Sequence, residues 1–341
     1  MVSAYISPVE SETSIEVIGY LCLDIGKDVL EARLAVGMAS GKAFAEVPNS
    51  YKGWQKLKKE AKLAGITKLY VTMEATGSHW KKVAQYFYDQ EATVFVVNPA
   101  CIKAQRRTEL RRSKTDRIDA KLILNFTRAQ LSNLRPWSPP SAAVSELQSL
   151  VRYRDSRVGE RITLKNQIGS GSACPRVLRF AKGTLKRIEE EIKELEEAIL
   201  AVLDSDEELK KQSKNADSVS GIGLIAAATL LAECRAFKEI RTPRQATAFA
   251  GLDVVEDSSA TIVKPPHISR KGSSLLRKTF VNCAAAAKRA KDGGAFRKFY
   301  DRLRAKGMKK KPALVATGRK LLEVTVAVVL SETKFDPTRN V

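Results

Sequence analysis

Asp116 and Asp119 stand three residues apart in the stretch Ser113-Lys114-Thr115-Asp116-Arg117-Ile118-Asp119-Ala120. At that spacing on a helix two side chains share a face and can address one point in space. Carboxylates so aimed repel one another unless a proton or a cation sits between them, so the pair is a candidate half of a metal site. A plainer account stands beside it: Ser113 followed by Asp116 resembles a capping box, and acids in a first turn suit the helix dipole. Taken alone, the cap suffices. Two acids upstream shift the balance, Asp24 near the end of the apolar run that starts at Val17 and Glu74 directly after Lys68 to Met73. In an α/β sheet, ligands collect at the carboxyl ends of strands. Four carboxylates converging on one sheet edge would be destabilising without divalent cations. Magnesium is the natural occupant, since it is a hard cation that prefers oxygen ligands, with manganese as a substitute. Singly, Asp24 is also a turn residue after a strand and Glu74 a first-turn helix acid; their coincidence favours the site.

These acids need a particular set of elements to bring them together. From Glu16 a strand-like run ends at Asp24 with Gly26 just beyond, Val29 to Val36 and Ala43 to Val47 are two further short strands, and Tyr51 to Ala64 has helical apolar spacing. Lys68 to Met73 is a buried-strand run, a helix is expected from about Ser78 to Asp89, and a strand over Thr93 to Val97 closes at Asn98-Pro99. Three strands in a meander followed by alternating helix and strand is the build of a ribonuclease-H-like α/β domain. Such alternation implies parallel pairing with helices on the sheet faces. Asp24 then falls at the end of the first strand, Glu74 at the end of the fourth, and Asp116 and Asp119 on a helix after the fifth.

Charge narrows the partner. The 341 residues carry 59 Lys plus Arg against 38 Asp plus Glu, a formal net charge of +21. An excess of that size favours a polyanion, either nucleic acid or an acidic membrane surface. No apolar run approaches the ~20 residues that span a bilayer, and the first residues, with Glu10 and Glu12, do not form a signal peptide. Cys22, Cys101, Cys174, Cys234 and Cys283 lie far apart without a Cys-x-x-Cys pair, which argues against a zinc knuckle or a disulfide framework. A reducing cytoplasm and a nucleic-acid partner are therefore expected. Lys103, Arg106, Arg107, Arg111, Arg112, Lys114 and Arg117 form a basic run. By itself it is a solvated face; beside a carboxylate centre it would counter a phosphate backbone.

After the proline-marked linker Leu134 to Pro140 the pattern changes to long helices. Val144, Leu147, Val151, Arg154, Val158 and Ile162 run at near-heptad spacing. Gly169 to Pro175 interrupts, and Leu185, Ile188, Ile192, Leu195, Ile199 and Val202 resume with coiled-coil steps. Two antiparallel helices packed on each other explain this simply; pairing between molecules is the alternative. Farther on, Gly221-Ile222-Gly223 before an apolar helix could present backbone N–H groups to phosphate in the manner of a helix-hairpin-helix, or be an ordinary helix turn. Phe249-Ala250-Gly251-Leu252, then Ile268-Ser269-Arg270-Lys271-Gly272, follow, with Arg270 and Lys271 as candidate phosphate contacts. Lys306, Lys309, Lys310 and Lys311 precede a final amphipathic helix and read as solvated charge, with a phosphate contact as the alternative. With only His79 and His267 present, histidine-centred chemistry is not expected.

Leu-Asp-Ile-Gly-Lys at 23–27, Met-Glu-Ala-Thr-Gly at 73–77, Val-Asn-Pro at 97–99 and Lys-Thr-Asp-Arg-Ile-Asp-Ala at 114–120 together resemble the DEDD insertion-sequence transposases, relatives of the Piv-type invertases. Gly-Ile-Gly, Phe-Ala-Gly-Leu and Ile-Ser-Arg-Lys-Gly resemble the second motif block of the same family, so the resemblance covers nearly the whole chain in order. It implies a RuvC-like catalytic domain over 1–135, a helical coiled-coil region over 136–212 and a mainly helical transposase domain over 213–341. It further implies Asp24, Glu74, Asp116 and Asp119 as metal-binding carboxylates. Its members are recombinases that act on donor and target DNA, guided by a structured noncoding RNA. A homo-oligomer, dimer or tetramer, is expected in a bacterial or archaeal cytoplasm, associated with the nucleoid. The family's nucleophilic serine lies eight positions after the glycine of Gly-Leu, which gives Ser259; here Ala260 replaces the glycine that usually follows, Ser258 lies alongside, and Val254 occupies a usual proline position. Without the family, Ser258-Ser259 is a turn. The alternative function is a metal-dependent nuclease or junction resolvase that uses water, and a third is a non-catalytic nucleic-acid scaffold.

Overall fold

Alternating side chains along Ile18–Ile25, here β1, set up two cores at once, because successive strand residues point to opposite faces. Leu21, Leu23 and Ile25 enter one apolar cluster, and Tyr20 and Cys22 enter another on the far side. The computed structural model describes residues 16–75, 77–108, 116–171, 174–255, 258–259, 262–263, 266–289 and 294–337, with backbone alone at 107–108, 116–119, 258–259 and 262–263. Contacts divide the chain into two compact units, residues 1–139 and 140–341.

In the first unit β1 pairs antiparallel with β2 (Val29–Val36), which pairs antiparallel with β3 (Lys42–Pro48). On its other edge β1 runs parallel to β4 (Lys68–Glu74), and β4 parallel to β5 (Thr93–Val97), giving the order β3-β2-β1-β4-β5. Parallel strands are covered on both faces, which is why β1, β4 and β5 are nearly continuous apolar runs. The helices α1 (Tyr51–Leu63) and α2 (Trp80–Asp89) bury Trp54, Leu57, Val83 and Phe87 on one face. The opposite face takes Ile102 from α3 (Pro99–Thr108) and Leu122, Ile123 and Leu124 from α4 (Asp116–Gln130). The result is a mixed five-stranded α/β sheet, with the strands where the sequence periodicity placed them. Glu74 closes β4 as a strand residue, so the first-turn helix reading of it does not hold.

The second unit is mostly helical. α5 (Ala142–Gly169) starts at Ser141, whose side chain accepts the Val144 N–H, and α6 (Pro175–Ser205) starts with proline in its first turn. They form an antiparallel hairpin within the chain, linked by Lys165–Glu189 at 2.7 Å, by Arg154–Glu196, and by the Tyr153 hydroxyl donating to Glu191 at 2.7 Å. Largely exposed pairs like these contribute little to stability. What holds the hairpin to the rest of the unit is burial of Val144, Leu147 and Val151 with Ile199, Val202 and Leu203 in one large core. That core also takes side chains from α7 (Glu207–Asp217), α8 (Leu224–Glu233), α9 (Pro243–Phe249), α10 (Ser274–Ala287), α11 (Ala295–Ala305) and α12 (Lys310–Leu330). Between α9 and α10 lie β6 (Val254–Val255), β7 (Ser258–Ser259), β8 (Ile262–Val263) and β9 (His267–Ile268). Among the described residues no helix is long and apolar enough to cross a membrane.

Candidate carboxylate site and nucleic-acid interface

β1 and β4 run in parallel register up to Leu23 opposite Met73, and the next position along each is Asp24 and Glu74. Adjacent strands are about 4.8 Å apart, so the two acids are neighbours on the sheet rim. Both are half-buried, and strand alternation puts them on the face of Tyr20, Cys22, Tyr70 and Thr72, the one α4 covers. Sequence reading passed over two residues here. Glu31 lies directly across β2 from Asp24, and its Oε1 accepts the Glu46 N–H at 3.1 Å. Thr72 is opposite Cys22, fully buried, and its hydroxyl has no partner among the described residues. Only strand register could have revealed either. Burial pushes the Cys22 thiol up to about 12, so it stays protonated, with Sγ 3.8 Å from the Thr127 hydroxyl.

That Thr127 contact fixes the direction of α4. One residue on, the Arg128 guanidinium donates to the carbonyls of Gly37 and Ala39 at 2.5 and 2.7 Å and lies over the Tyr20 ring. Gly37 is bonded to Ile18 at the start of β1, so the C-terminal end of α4 sits at the beginning of that strand. Its N-terminal end must then run towards the strand's carboxyl end, where Asp24 is. Positions 119, 123 and 127 follow one another at helical spacing, and Ile123 and Thr127 are fully buried against the sheet side. The backbone thus carries positions 116 and 119 in the first turn of α4; their side chains lie outside the described residues. Among the described residues no three acids, histidines or cysteines gather to hold one ion. Among the described residues the donor set at the rim is oxygen only, with the buried Thr72 hydroxyl below it, and this suits a hard divalent cation.

Of the basic run, Arg106 is half-buried in α3 and Arg107 is placed by backbone alone. Arg111, Arg112 and Lys114 lie outside the described residues.

In the second unit Val254 pairs with Ile268 and Val255 with His267, then Ser258 with Val263 and Ser259 with Ile262. Ser259 thus lies in a paired strand, β7, whose partner is β8. Paired strand replaces the polar turn expected for Ser258-Ser259 outside the family. The other pair, β6 and β9, stands on a fixed base. Gly251, at φ +63°, ends α9 in a Schellman arrangement: Leu252 N–H reaches Thr247 O and Gly251 N–H reaches Ala248 O, both at 2.9 Å. Arg270 N–H donates to Gly251 O at 3.1 Å, Ser269 N–H to Asp253 O at 3.0 Å, and the Ser269 hydroxyl bonds the Asp253 carboxylate. Arg270 and Lys271 are both exposed.

Beneath this base lies a hub that the sequence did not disclose. Glu233, its side chain only 5% exposed, accepts from Arg152 Nε at 2.8 Å and from the Ser273 hydroxyl at 2.7 Å. It ties α5, α8 and the cap of α10 together. Gly221 and Gly223 separate in role. A Cβ at Gly221, φ +96°, would come 2.7 Å from the Ala287 Cβ, so that glycine is required by close packing on α10. Gly223 precedes α8 with open space around it.

Comparison with known sequences agrees with this layout. A family model for DEDD transposases of the IS110 type, described as "Transposase", matches residues 21–170, and one described as "Transposase IS116/IS110/IS902 family" matches residues 213–301. Between them they cover well over half the chain. The pilin gene-inverting protein of Moraxella bovis is 26% identical over 269 residues, 79% of this chain and 82% of that protein. The transposase for insertion sequence element IS1111A of Coxiella burnetii is 27% identical over 247 residues, 63% of this chain and 65% of its own. The two family models, matched in order over residues 21–170 and 213–301, identify the chain as a member of the IS110 family of DEDD transposases, enzymes of DNA recombination.

Proposed function

We propose that the chain cuts and rejoins donor and target DNA with four metal-holding carboxylates and a serine nucleophile, under the direction of a structured noncoding RNA. The observation that carries this is the adjacency of Asp24 and Glu74 on one rim, towards which the first turn of α4, with Asp116 and Asp119, is directed. The sheet order β3-β2-β1-β4-β5, with a meander followed by parallel strands, supports a ribonuclease-H-like reading of the first unit. The domain limits 1–135, 136–212 and 213–341, the guide RNA and the homo-oligomer rest on the family resemblance. The net charge of +21 favours polyanionic partners.

Asp24, Glu74, Asp116 and Asp119 would hold magnesium, or manganese in its place, and the bound cation supplies Lewis-acid polarisation of a phosphoryl oxygen. Ser259 is the nucleophile. Its oxygen bonds to phosphorus, the bond from phosphorus to the departing strand's oxygen breaks, and the hydroxyl proton passes to that leaving oxygen through solvent. The phosphoserine ester keeps the bond energy needed for rejoining. Arg106, Arg107, Arg111, Arg112, Lys114, Arg270 and Lys271 would neutralise backbone phosphates, and Gly223 leaves N–H groups accessible at the start of α8.

The test is to trap a protein–DNA adduct on labelled donor DNA, in the presence of RNA transcribed from the flanking noncoding DNA. Ser259→Ala and Asp24→Asn should each abolish the adduct and strand exchange while leaving nucleic-acid binding intact, and Ser258→Ala should retain both. Magnesium-dependent cleavage without any adduct would instead establish a nuclease or resolvase that uses water.

A further inference from the structure

Phe249, the last residue of α9, leaves 39% of its surface open. A lone exposed apolar side chain is ordinary; its surroundings are what set it apart. The Phe249 carbonyl accepts the Ser273 N–H at 2.7 Å, and a Cβ added at Gly272 would come 2.1 Å from the same oxygen. The strand of chain carrying Arg270 and Lys271 is thus pressed directly against the end of α9. Both are exposed, as is Arg244 on α9, and none of the three forms an ion pair among the described residues. Asp253, the acid closest in sequence to Phe249, is occupied by Ser269. Arg270 also adopts φ +55°, a left-handed conformation that costs a non-glycine residue energy and persists only where surrounding bonds enforce it. The fold therefore holds an exposed aromatic ring at the end of α9 and the exposed Arg270 and Lys271 on the segment bonded to that end.

We propose that Phe249 is a stacking platform for an unpaired nucleobase, with Arg270 and Lys271 taking the flanking phosphates. This rests on the nucleic-acid reading above and deepens it. An aromatic face accepts any base, because every base has a π face, but only once the base has left its duplex stack. The patch therefore discriminates by strandedness, not by sequence, and it can receive an unpaired base of either DNA or RNA.

The experiment measures fluorescence anisotropy of the full chain with a short labelled oligothymidylate, its oligouridylate counterpart and a duplex of equal length, across a salt series. Phe249→Ala should weaken single-strand binding about tenfold and leave duplex binding and the salt slope unchanged, while Phe249→Tyr retains wild-type affinity. Arg270→Ala should weaken all three probes and make the salt dependence shallower. Equal loss with both single-stranded probes supports a platform open to either nucleic acid, whereas loss with oligothymidylate alone assigns the base to DNA and with oligouridylate alone to RNA. If Phe249→Ala binds single strands as the wild type does, or Phe249→Leu binds as well as Phe249→Tyr, stacking is overturned while the nucleic-acid reading stands. Wild-type protein that binds none of the probes overturns both.

Discussion

Replacing Arg152 with methionine isolates the hub around Glu233. The substitution keeps most of the side chain's apolar stem and removes the charge that meets Glu233 Oε1 at 2.8 Å. Glu233 would then keep only the Ser273 hydroxyl, while its own side chain remains 5% exposed. Breaking a fully buried pair from one side costs about 3–5 kcal/mol, and an exposed pair is worth about 0–1 kcal/mol. Arg152 is 50% exposed, so the two limits bracket the case and the loss should be about 2 kcal/mol. For a unit of this size that lowers the melting temperature by roughly 4–8 °C. Calorimetry of the full chain should show the shift in the transition of the second unit. Glu233→Gln in the Arg152→Met background should restore about 1 kcal/mol, since no buried charge is then left without its counterion. A double variant as unstable as the sum of the two single variants would refute the pairing as the source of the effect.

Other expectations follow from single contacts. Thr72→Val removes a buried hydroxyl that has no partner among the described residues and should stabilise the first unit by about 1 kcal/mol in urea unfolding; a loss of stability would mean the hydroxyl is satisfied in solution. Gly272→Ala sets a methyl group 2.1 Å from the Phe249 carbonyl at φ +137°, and should cost about 3 kcal/mol or prevent soluble expression. At about pH 8, alkylation followed by mass spectrometry should modify exposed Cys101 and Cys174 and spare Cys22, whose reactivity appears only on unfolding. Because burial raises the Cys22 pKa in the folded state, its contribution to stability is complete below the ordinary thiol value of 9.0. That contribution falls away as the pH climbs to about 12, which alkaline unfolding midpoints of wild type and Cys22→Ala would reveal.

Much of the sheet unit was legible in the sequence because its information is local. A strand such as Lys68–Glu74 announces itself by a short apolar run, and an acid at its end is a rim residue in whichever sheet it joins. The helical hairpin was legible for the same reason, through its three- and four-residue apolar steps. What stayed hidden depends on residues far apart along the chain. Glu233 meets Arg152 and Ser273 across 81 and 40 positions, and no periodicity in one segment records that. Gly221 is also held by close packing on Ala287, which its spacing to Gly223 could not reveal. Glu31 became visible only once β2 was laid beside β1, and the two-residue strands β7 and β8 are too short for alternation to identify.

The grip of Arg128 on the carbonyls of Gly37 and Ala39 makes α4 a lever pinned at its far end. Twelve residues separate that pin from Asp116, about 18 Å along the axis at 1.5 Å per residue. A tilt of a few degrees introduced at the arginine would swing the opposite tip by roughly 1 Å, a misplacement of the size that impairs catalysis. Substitutions in the β2–β3 turn, remote from every acid at the rim, can therefore disable the protein while leaving it folded.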